Sequence, residues 1–124
     1  MPTVYQNPLS TLADKLVTVT TVTAASADNV TNATTGTIYL LEVDNSHNEF
    51  NTIYLKIADA NSATAGTTQP KMTLAIPAQR KQTFVFQNGH TYTAGVCVWA
   101  TRHPVYTDKT KPDAAITVKF LVTA

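Results

Sequence analysis

Apolar side chains recur at every second position through much of this chain. Ile53, Leu55 and Ile57 alternate with Tyr54 and Lys56, and Met72, Leu74 and Ile76 repeat the pattern. A period of two is that of a strand with one buried face. Seven segments carry strand signals: Leu16 to Val22, Thr37 to Val43, Thr52 to Ala58, Lys71 to Ile76, Gln82 to Phe86, Tyr92 to Ala100 and Ala115 to Val122. They are rich in Thr, Val, Ile and Tyr, which suit a pleated surface, and no stretch holds the longer period of an amphipathic helix. Turn chemistry separates them in "TNATTG", "DNSHNEFN", "IPAQRK", "QNGH" and "DKTKPD". Short strands at this spacing predict an all-β chain, an antiparallel β-sandwich or jelly roll of about seven to eight strands. Its core is expected to hold Ile53, Leu55, Ile57, Met72, Leu74, Ile76, Val96, Val98, Val118 and Phe120. Asn88-Gly89 tolerates positive φ, so a tight hairpin is expected to join Gln82–Phe86 to Tyr92–Ala100.

Two segments are apolar on both sides. Strict alternation in Thr37 to Val43 puts Ile38 and Leu40 on one face and Tyr39, Leu41 and Val43 on the other, while Val96 and Val98 alternate with Cys97 and Trp99. An antiparallel sheet commonly leaves one face polar. The outer face is therefore expected to be covered, by the chain's own N-terminal arm or by another subunit. That arm is residues 1–15, punctuated by Pro2 and Pro8, ahead of a β-sandwich domain at 16–124; it carries Val4, Tyr5, Leu9 and Leu12, which a free tail has little reason to hold. Candidate protein-interface residues are Val4, Tyr5, Leu9, Leu12, Tyr39, Leu41, Trp99, Arg102 and Tyr106.

Composition narrows the chemistry. The chain has 124 residues, 44% hydrophobic and 14% charged, with a net charge of +1. One domain is expected from that length, and the charge supplies no surplus of Lys and Arg for nucleic acid. The basic run from Arg102 through His103 to Lys109 and Lys111 is interrupted by Asp108 and Asp113, and reads as a solvated loop. No segment resembles a signal peptide or a membrane span, so a soluble protein made in a cytoplasm is expected. Asn29-Val30-Thr31 and Asn32-Ala33-Thr34 match a glycosylation pattern that would then be idle. Cys97 is the single cysteine, set in an apolar strand and expected to be buried and inert. His47, His90 and His103 fall in expected turns without metal-ligand spacing, and the eight acidic residues lie mostly at turns. No catalytic residue, cofactor site or metal site is expected.

The series "IYLKIADA", "AGTTQPKMTLAIPA" and "QTFVFQNGHTYTAGVCVWAT" resembles small β-rich structural proteins of tailed bacteriophages, over about residues 51 to 101. The shared features are a Tyr-Leu-Lys strand, a Gly-Thr-Thr-x-Pro connection, an Ile-Pro-Ala turn and a strand closing on Thr-Ala-Gly. The resemblance implies a virion structural protein, expected to be a capsid decoration (cement) protein that forms a homotrimer on the capsid surface. It would stabilise contacts between major capsid subunits after synthesis in the host bacterial cytoplasm. Its partners would be itself and the major capsid protein, with no nucleic acid, membrane or small-molecule substrate. Two alternatives stand beside it: a phage tail, neck or fibre component, and a carbohydrate-binding β-sandwich module using Trp99, Tyr54 and Tyr106 as stacking faces.

Overall fold

A computed structural model describes residues 15–22, 28–29 and 35–123. The described residues form eight strands: β1 (Lys15–Val22), β2 (Asp28–Asn29), β3 (Gly36–Asp44), β4 (Ile53–Asp59), β5 (Met72–Ile76), β6 (Lys81–Tyr92), β7 (Val96–Thr101) and β8 (Ile116–Thr123). They make two four-stranded antiparallel sheets, ordered β1-β8-β3-β6 and β2-β7-β4-β5. The pairing is nested. β1 lies on β8, β2 on β7, β3 on β6 and β4 on β5, so the chain is one long hairpin rolled across two layers. Lateral contacts of β8 with β3, and of β7 with β4, close each layer. This is the jelly-roll form of a β-sandwich.

The core lies between the layers. Ile53, Leu55 and Ile57 of β4 face Ile38, Leu41 and Val43 of β3 across it, with Val96, Val98 and Ala100 from β7 and Ile116, Val118, Phe120 and Val122 from β8. All are fully buried, while Met72 and Leu74 on edge strand β5 are partly buried against the same cluster. Each Val, Ile, Leu or Phe side chain among them contributes about 1.5–3 kcal/mol when fully withdrawn from water.

Local irregularities overturn two expectations. Asn88-Gly89 does not turn a hairpin into β7, because Lys81–Val85 before it and His90–Tyr92 after it both pair with β3. Val85 pairs with Leu40 and His90 with Ile38, which leaves residues 86–89 looped out opposite Tyr39 alone. Gly89 supplies the positive φ of 77° that this bulge needs. The corner into β7 lies instead at residues 93–95, and β6 and β7 belong to different sheets. The second correction concerns β3. Ile38 pairs with Val122 and Leu40 with Leu121, so Tyr39 is an extra residue that reverses the alternation beyond it. Leu41 and Val43 join Ile38 in the core, and Leu40 turns outward.

Candidate interaction surface

The outer faces of the two sheets differ. On the β2-β7-β4-β5 sheet, Lys56, Ala58, Cys97 and Trp99 point away from the core, yet all are buried. The chain's own connections cover them. Ala63 and Ala65, from the β4–β5 loop, pack on Ala58, Cys97 and Trp99. The β7–β8 loop contributes the Val105 carbonyl, which accepts a hydrogen bond from Lys56 Nζ at 2.7 Å. The two loops also meet each other: the aliphatic stem of Lys109 lies so close over Gly66 that a Cβ there would stand 2.5 Å from its Cγ. Burial lowers the pKa of Lys56, and Asp108 works against that shift. The indole nitrogen of Trp99 is buried without a hydrogen-bond partner.

The β1-β8-β3-β6 sheet has no such cover among the described residues. Its ladder register places Leu16 opposite Leu121, Leu121 opposite Leu40, and Leu40 opposite Val85. These four side chains form an apolar row across all four strands. Its ends are open to solvent, Leu16 at 66% exposure and Val85 at 70%, while Leu40 and Leu121 are half-buried. The neighbouring row is polar and reads Thr18, Lys119, Glu42, Thr83 in the same strand order. Lys81 approaches Glu42 at 3.9 Å, an exposed pair of small energetic value.

Two polar assemblies hold the ends of the sandwich. At one end, the buried Asn45 side chain donates to the carbonyls of Ile76 and Pro77, each at 3.1 Å, and of Asn51 at 3.3 Å. Its own oxygen accepts from Asn48, whose side chain also bonds the Ala114 carbonyl and N–H. Outside this knot, Arg102 donates to the Asn51 side chain at 2.9 Å and stands 3.8 Å from Asp113. At the other end, Asp59 accepts from the backbone N–H groups of Ala94 at 2.7 Å and Thr93 at 3.0 Å. The Ala94 bond first, with those from Thr93 and the nearby Lys71 charge, holds the carboxyl below the usual carboxylate range. The carboxylate is thereby occupied in fixing the corner between β6 and β7.

Beside that corner, the rings of Phe86 and His90 stack at 5.7 Å, and His90 meets Tyr92 edge-on at 5.1 Å. Lys71 Nζ lies 4.8 Å from the Tyr92 ring centroid and donates to the Thr91 carbonyl. His90 Nε2 and the Tyr92 hydroxyl are buried without hydrogen-bond partners. Among the described residues, no group of three or more His, Cys, Asp or Glu side chains is placed to hold a metal ion.

The candidate interface residues are dispersed. Val4, Tyr5, Leu9 and Leu12 lie outside the described residues. Leu41 is in the core and Trp99 lies under the loop roof, so neither presents a surface. Tyr39 is half-buried at the bulge, Arg102 is half-buried in the Asn51–Asp113 contact, and Tyr106 is exposed on the β7–β8 loop. His90 lies within β6 and not in a turn. The apolar row was missed because the Tyr39 bulge disguises Leu40. The available signals were the two-sided apolar stretches "TFVF" around Val85 and "KFLV" around Leu121. No protein-family model, curated protein or solved structure matches this chain.

Proposed function

We propose that this chain is a structural protein that works by binding protein surfaces, and specifically a virion protein of the capsid decoration kind. The observation that carries the reading is the face of the β1-β8-β3-β6 sheet that no described residues cover, with its apolar row Leu16, Leu121, Leu40 and Val85. A side chain such as Leu16 or Val85 left largely in water gains about 1.5–3 kcal/mol when a partner covers it fully. One such contact is weak. Copies held together on a repeating shell multiply it through effective concentration. The resemblance over residues 51 to 101 supports the phage setting, and jelly rolls serve as capsid domains as well as lectins and cupins.

The tail, neck or fibre reading draws on the same exposed row. The carbohydrate reading loses its best stacking face, because the Trp99 ring lies buried under the chain's own loops. Antibodies raised against the purified chain, applied to particles released by cells that produce it, distinguish these roles by immunogold microscopy. Gold distributed over the shell is the expected result. Gold confined to tails selects the tail reading, and particles bare of gold overturn a virion role.

A further inference from the structure

We propose that the open face of the β1-β8-β3-β6 sheet binds the same face of a second copy, about a two-fold axis parallel to the strands and between β8 and β3. This pairing rests on the same apolar row as the proposed function, and the protein surface that covers the row is here a second copy of the chain.

The strand order makes the face self-complementary. A rotation about that axis lays β8 over the second copy's β3 and β1 over its β6. In the apolar row, Leu121 then meets Leu40 and Leu16 meets Val85, each contact occurring twice. In the adjacent row, Lys119 meets Glu42 of the other copy, also twice, and Thr18 meets Thr83. One row further, Asp44 and Thr117 are opposite in the ladder and meet again across the axis. The positions laid over each other in these rows set no like charges opposite, and Lys81, 3.9 Å from Glu42, shares that carboxylate with Lys119 of the other copy. An axis running along the Lys119–Glu42 row would do the reverse, setting Lys119 on Lys119 and Glu42 on Glu42. Charge complementarity therefore selects a second copy in this orientation.

Lys119 supplies a further reason. It stands directly opposite Glu42 in its own ladder, yet makes no hydrogen bond or ion pair with the described residues. Oε1 of Glu42 is approached instead by Lys81 at 3.9 Å, and Lys119 has no partner among the described residues. The second copy offers one. Face-to-face sheets pack with strand directions about 30° apart, so the axis follows the mean of the two strand directions, about 15° from each, and the central pairs near it align best. Four strands about 4.8 Å apart give a face roughly 20 Å wide. The total burial is on the order of 1,000 Å², at the lower end of specific interfaces, so a reversible dimer is expected.

The experiment is sedimentation equilibrium of the full chain from low micromolar to submillimolar concentration, with folding followed by far-ultraviolet circular dichroism. The expected result is a reversible shift from one to two chain masses. Val85→Asp, at a position largely in solvent, should keep the strand spectrum and weaken association at least tenfold. Glu42→Lys and Lys119→Glu should each weaken it, and the double exchange should recover most of the loss. A wild-type chain that stays monomeric throughout, or forms trimers, overturns the proposal. So does a dimer indifferent to Val85→Asp or unrescued by the exchange. Deleting residues 1–14 tests the other occupant: if the wild-type chain is monomeric and the deletion dimerises, the arm holds this face and the proposal fails.

Discussion

Tyr92 is fully buried, and its hydroxyl is left without a partner beside a histidine in the same condition. Burial, with the Asp59 charge in support, pushes its pKa well above the usual tyrosine value, so the phenol stays neutral. A buried hydroxyl without a hydrogen bond costs stability that its ring does not. Tyr92→Phe should therefore leave the urea midpoint unchanged or raise it; a loss above about 1 kcal/mol would show that the hydroxyl is bonded. His90 gives a pH prediction. Burial first, then the nearby Lys71 charge, lowers its pKa below 6.5. The folded chain then binds fewer protons than the unfolded one as pH falls through 6.5, so stability declines from there until the folded pKa is passed. His90→Gln should remove that part of the decline. A second loss belongs to Asp59, Asp44 and Asp108, whose pKa values lie below 3.8 when folded. Their contribution is complete above 3.8 and disappears as pH falls through the folded values. Thermal melts across acid pH, with and without His90, separate the two stages.

At the scale of elements, the bulge in β6 rests on one glycine. A Cβ on Gly89 would stand 2.5 Å from Thr37 Cγ2 and 3.0 Å from the Tyr39 ring, at a φ that L residues rarely adopt. Gly89→Ala should destabilise by about 1–3 kcal/mol, the left-handed backbone alone accounting for about 1–2. Adding Thr37→Ser removes the methyl and should recover only the steric part. Full recovery, measured by urea denaturation, would mean that backbone conformation is unimportant here. The same bulge limited what the sequence showed. Strands β4 and β5 were legible because Ile53, Leu55 and Ile57 and their partners alternate without interruption. In β3 the extra residue Tyr39 reverses the faces, and no local signal distinguishes a strand with one added residue from one without. Asn88-Gly89 signals a place of positive φ, which Gly89 adopts; whether it turns the chain or bulges depends on what lies opposite.

At the scale of the molecule, one buried asparagine ties distant segments together. Asn45 bonds carbonyls at residues 51, 76 and 77, and through Asn48 reaches residue 114. Asn45→Ala leaves the Ile76 carbonyl, in a buried bond, and the part-buried Asn51 and Pro77 carbonyls without this donor, and a buried unsatisfied group costs about 1–3 kcal/mol. A loss of at least about 2 kcal/mol is expected by urea denaturation. A smaller loss would show that water replaces the tie. Nested pairing also makes most contacts distant in sequence, from β1 on β8 inward, and closing such loops slows folding. Refolding should therefore take milliseconds to seconds, and stopped-flow fluorescence of Trp99 can follow it.

The amino-acid order alone determined that the regular structure of the described residues is all β, with Ile53, Leu55, Ile57, Val98, Val118 and Phe120 inward, because period two and burial are local properties of a strand. Tertiary structure decided which outer face is open. Cys97 and Trp99 are as apolar as Leu16 and Val85, but residues 63, 65 and 105 fold back over the first sheet, while no described residues cover the second. Cover depends on where loops land after the layers stack, and the sequence of a strand does not contain that. The alignment of Leu16, Leu121, Leu40 and Val85 is likewise a product of register among strands up to about a hundred positions apart. It exists only when all four are paired.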